Sequence, residues 1–246
     1  NYLICAKLIN LCNNDVQKNA VMSGFEKAFE GGSLPSLPNE LIEAIRNTGT
    51  VSLLLRVRQL DPAAIKEASE KIASKKVPMK DRINYVRAFG EIDDDSVLPS
   101  LLGIISGPVA PVIRKASINA CQRFNNDEIS KVIIDSYKLM IDDTKLTAQK
   151  ILSSRLNWSR EWMRAIDEQK IEADNISEEA IAGLRRHNDE EMKKIIKKHF
   201  GDKVSNKKSL FENIENIRSV IESGPGNPYR GRIIYKERCA SCHVLF

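Results

Sequence analysis

At 246 residues, with 42% hydrophobic and 29% charged residues, the chain is long enough for one large or two ordinary domains and too apolar to stay disordered. Aromatics make up only 6%, and Leu, Ile, Ala, Lys and Glu outweigh the Val, Thr and Tyr typical of sheets, so an all-α fold is expected. The net charge of +5 is uneven: residues 185–238 hold fourteen Lys/Arg against eight Asp/Glu, a local surplus of +6. Solvated helix faces are the simpler reading of that surplus, and a surface that steers an acidic redox partner is the other. Nucleic-acid binding is not expected, because no aromatic-interleaved or motif-bearing basic helix accompanies the charge. No stretch of eighteen apolar residues occurs, so no transmembrane segment is expected either.

Read in chain order, period and punctuation give a succession of helices opened by Asp, Asn, Ser or a following Pro and closed by Gly or Asn, with no convincing strand. Cys5, Cys12 and Cys121 lie in apolar helical patterns and read as small core residues. Met22, Met79, Met140, Met163 and Met192 read the same way. The run from Gly31 to Pro38 is a loop, Asp61-Pro62 opens a helix, Phe89-Gly90 closes one, and Asp127-Glu128 opens another. Trp158 and Trp162, four apart, share a helix face and suggest packing. The acidic pairs Asp94-Asp95 and Glu190-Glu191 suit helix starts. His187 belongs in a turn, and His199 at a helix end.

A loose repeat runs through these helices, in which a bulky residue is followed by an Asn/Asp cluster: Cys12 to Asp15, Phe124 to Asp127, His187 to Glu190. Phe89 and Phe124 stand 35 residues apart, a helix-pair period, so a curved stack of helix hairpins (an α-solenoid) is expected, with an irregular bundle as the alternative. Gly224-Pro225-Gly226-Asn227-Pro228 forbids a continuing helix and sets the expected domain boundary, with helical repeats over 1–223 and a second domain beginning at 224–246.

That second segment carries the chemistry. Asn227 can cap a helix, Pro228 suits its first turn, and a helix from about Tyr229 to Cys239 leads into Cys239-Ala240-Ser241-Cys242-His243. Two cysteines separated by two residues and followed by histidine form the attachment pattern for a covalent c-type haem: both thiols become thioethers, and His243 is the proximal iron ligand. A redox disulfide would call for a thioredoxin-like strand and helix, which are absent. A zinc site completed by His187 or His199 lacks a second cysteine pair. No phosphate-cradling loop, nucleophile elbow or zinc-protease helix occurs, so no catalytic residue is expected.

Gly231 and Tyr235 stand eight and four residues before Cys239, which resembles the opening of cytochrome c over about twenty residues. In that family the glycine permits a close helix crossing and the aromatic packs beside the haem. More widely, the segments from Asn175 through His187-Asn188-Asp189 to Gly201, and from Gly224 to Gly231, resemble planctomycete-type multidomain haem-binding proteins, a group named for membrane-bound dehydrogenases. The resemblance is good from about residue 83 and thin before it. It implies HEAT-like helices followed by a cytochrome c domain, here truncated to its first helix, with an electron donor or acceptor protein or an upstream dehydrogenase domain as partner. It also implies an extracytoplasmic, periplasmic location. The sequence opens inside a helical pattern and stops three residues after His243, so it is expected to be cut from a longer chain, to lack its distal ligand and to hold haem poorly or not at all. Two functions follow as expectations: a haem-bearing electron-transfer module with the helices as spacer, or an interaction scaffold with the haem domain as passenger.

Overall fold

The structure, a computed structural model, describes residues 2–28, 37–49, 51–201 and 207–239. Among them the fold is all-helical, with no strand. The helices are α1 (Tyr2–Asn10), α2 (Asp15–Ala28), α3 (Asn39–Asn47), α4 (Leu53–Arg58), α5 (Pro62–Ala73), α6 (Met79–Glu91), α7 (Leu98–Ser106) and α8 (Pro111–Cys121). They continue with α9 (Glu128–Asp135), α10 (Asp142–Leu152), α11 (Leu156–Asp167), α12 (Glu178–Arg186), α13 (Glu190–Phe200), α14 (Lys207–Glu222) and α15 (Pro228–Arg238). Contacts divide the chain into two compact units, Asn1–Asn125 and Asn126–Cys239.

In the first unit, α1 packs on α2 and α3 around Ala6, Ile9, Met22, Phe25, Leu41 and Ile45. Beyond that cluster the helices alternate: α4, α6 and α8 pack in succession, while α5 packs on α7. The local reason is legible at Asp61, whose carboxylate accepts the amides of Ala63 and Ala64 while Pro62 fixes the first turn of α5. These amides, that of Ala64 foremost, together with Arg56, hold the Asp61 carboxyl below its ordinary pKa. Each following helix pair is locked by a buried arginine. Arg82, the fourth residue of α6, donates from Nε to the carbonyl of Ile72 at the end of α5, at 2.7 Å. Arg114, the fourth residue of α8, does the same to Ile105 at the end of α7, at 2.9 Å, and reaches Gly107 O at 2.6 Å. Both arginines supply donors to helix-end carbonyls that have no partner of their own. A third, Arg58, pairs with Glu91 at 2.7 Å with both side chains nearly enclosed.

Equivalent positions in these two pairs are thus 32 residues apart, from Arg82 to Arg114, with Val86, Ala88 and Phe89 matching Ile118, Ala120 and Cys121, all buried. Phe89 lies inside α6, whereas Phe124 lies past the end of α8, so the spacing of 35 joins non-equivalent places. Gly90 does not close α6; it is helical, and a Cβ there would meet Ala120 Cα at 2.9 Å, so its role is to let α6 and α8 touch.

In the second unit, α11 packs on α9 and α13, and α12 on α10 and α13. Trp158 and Trp162 are fully enclosed and their indole N–H groups have no partner, which fits packing. The Arg155 guanidinium lies over the Trp158 ring at 4.6 Å. Gln149 is a buried hub: its amide nitrogen donates to Tyr137 OH and Asn175 O, both at 2.8 Å, and its oxygen accepts from Ser177 N at 2.9 Å. Gly183 repeats the device of Gly90, since a Cβ would meet Ser153 Oγ at 2.9 Å. Asp127 does not cap α9 with its side chain, which accepts instead from Asn157 Nδ2; Asn126 Oδ1 takes the Glu128 amide at 2.8 Å.

Met22, Met140, Met163 and Met192 are core residues and Met79 is half-buried at the start of α6. Cys121 is enclosed, and burial pushes its thiol up to about 12. Cys5 is half-buried against the first cluster, while Cys12 lies past α1 with its thiol on Leu8 O at 3.3 Å. Leu37 and Pro38 lead into α3, and the rest of the Gly31–Pro38 loop, up to residue 36, lies outside the described residues.

Candidate functional site

The helix before the cysteine motif forms for local reasons. Asn227 Oδ1 accepts the amides of Tyr229 and Arg230, each at 3.0 Å, Pro228 occupies the first turn, and Gly231 N bonds Asn227 O. The helix runs to Arg238, and Cys239 ends it as C-cap, its N–H on Tyr235 O at 2.8 Å. Gly231, Tyr235 and Cys239, at steps of four, fall on neighbouring positions of one helix side. Tyr235 and Cys239 are half-buried, while Tyr229, Ile233 and Ile234 are more than half exposed. Nothing approaches the Gly231 position, so it makes no close crossing among the described residues.

Cys239 is a free, half-buried cysteine at the end of α15. Cys242 and His243 lie outside the described residues, as do Ala240 and Ser241. Of the motif only Cys239 is described: it stands at a helix end, on the side of Gly231 and the half-buried Tyr235, while Ile233 and Ile234 on other sides of α15 are exposed.

The chain matches no family model, no curated protein and no solved structure.

The other two histidines are committed elsewhere. His187, in the turn after α12, places Nε2 2.9 Å from Ser153 O. His199, in the last turn of α13, places Nε2 2.8 Å from Asp167 Oδ1, an oxygen that also takes Lys198 Nζ at 2.6 Å. The Lys198 and His199 hydrogen bonds hold the Asp167 carboxyl below its ordinary range. Among the described residues no three His, Cys, Asp or Glu side chains form a group able to hold a metal.

Some charges in and around the basic stretch are paired. Arg160 pairs with Asp189 at 2.6 Å, Lys193 with Glu190 at 2.6 Å, and Arg218 with Glu222 at 3.1 Å. Asp189 also caps α13 through the Met192 amide; that bond, followed by Arg160, lowers its pKa. A groove of about 410 Å³ between α9 and α11 is lined by Lys131, Asp135, Glu161, Arg164, Glu168 and Lys170 among others. Four of its charges pair, Glu161 with Arg164 at 3.2 Å and Glu168 with Lys170 at 2.7 Å, and no Ser, Thr, Cys or His is among its lining residues.

Sequence reasoning missed the enclosed Arg58–Glu91 pair and the helix-locking Arg82 and Arg114. The recurrence of Arg three residues after a helix start, with aliphatic Val86 or Ile118 four residues on, was the available signal.

Proposed function

We propose that this chain presents a covalent c-type haem at Cys239, Cys242 and His243 and serves as an electron-transfer module, with its helix pairs as a HEAT-like solenoid spacer. The observation that carries the reading is α15, capped by Asn227 and ending at Cys239, so that the first thiol of the motif stands at a helix end. Cys239 and Cys242 would hold the porphyrin as thioethers, and His243 would be the proximal ligand. The bound haem would supply reversible one-electron transfer at its iron. Tyr235, one turn before Cys239, would shield the thioether side from water, and Ile233 and Ile234 would give up solvent exposure to whatever packs over the helix. On this reading the chain belongs with the planctomycete-type multidomain haem proteins, takes electrons from or gives them to a protein partner or a linked dehydrogenase domain, and works outside the cytoplasm.

The alternating packing of α4, α6 and α8 against α5 and α7 favours a second reading, in which the helices are an interaction scaffold and the haem domain a passenger. The full-length protein, matured in a haem-c-competent host, separates the two. A pyridine haemochrome spectrum of covalent haem that is reduced by the linked donor supports electron transfer. Covalent haem that never changes redox state in function supports the scaffold.

A further inference from the structure

We draw no further inference here: the strongest candidate, the exposed apolar stripe of Ile214, Ile217 and Ile221 along α14, carries nothing because nothing in the structure shows what covers it.

Discussion

Helices α5 to α8 and helices α14 and α15 use the same residue types to opposite ends. In the first group Ile72, Val86, Leu101, Ile105, Ile113 and Ile118 are enclosed, and even arginines are drawn inside to satisfy helix-end carbonyls. In the second group Ile217 is 61% and Val220 70% exposed, and every described side chain of α14 faces solvent. Helicity therefore rests on different supports: in the first group tertiary burial adds to local devices such as the Asp61 cap and Pro62, whereas α15 relies chiefly on the Asn227 cap and Pro228. The contrast teaches that sequence periodicity reports a capacity to bury a face and leaves open whether the face is buried.

The largest test of this contrast pairs two truncations. Trp162→Ala, at a fully enclosed site, is expected to cost about 4 kcal/mol in denaturant unfolding, whereas Ile217→Ala on α14 is expected to stay within about 0.5 kcal/mol. Equal costs would mean that α14 is packed in solution. Next comes Glu91→Ala, which strands the enclosed Arg58 charge and is expected to cost about 3 kcal/mol by the same assay, with Arg58→Met in the same background recovering part of it. Gly90→Val forces α6 away from Ala120 and is expected to lose about 2 kcal/mol, while Gly231→Val, in open space, is expected to leave stability unchanged or raise it slightly through helix propensity. The smallest effect is Asn227→Ala: it is expected to weaken α15 by about 1 kcal/mol, read as faster amide exchange at Tyr229 and Arg230 with the global unfolding midpoint unchanged.

Local chemistry was the legible part of the fold. Asp61-Pro62 and Asn227-Pro228 were readable as helix starts because a cap and its amides lie within three residues of each other. Gly90 was misread as a terminator because the residue that requires it, Ala120, is thirty positions away. Asp127-Glu128 does open α9, yet the Asp127 carboxylate makes no capping bond because Asn157, on the next helix but one, takes it. Arg82 and Arg114 escaped notice because charge argues for the surface, and only the carbonyls of Ile72 and Ile105 explain their burial. At the candidate site, the helix and the position of Cys239 followed from sequence, while the glycine crossing expected at Gly231 has no partner among the described residues. A crossing depends on a second helix, which no local pattern can supply.

The most direct measurement is peptide mass analysis of the Cys239–His243 segment, from the full-length protein expressed together with haem-c maturation machinery. The account predicts one haem on that peptide, bound through Cys239 and Cys242 and lost when both are replaced by Ser. An unmodified peptide, or one that carries zinc in place of haem, would contradict it.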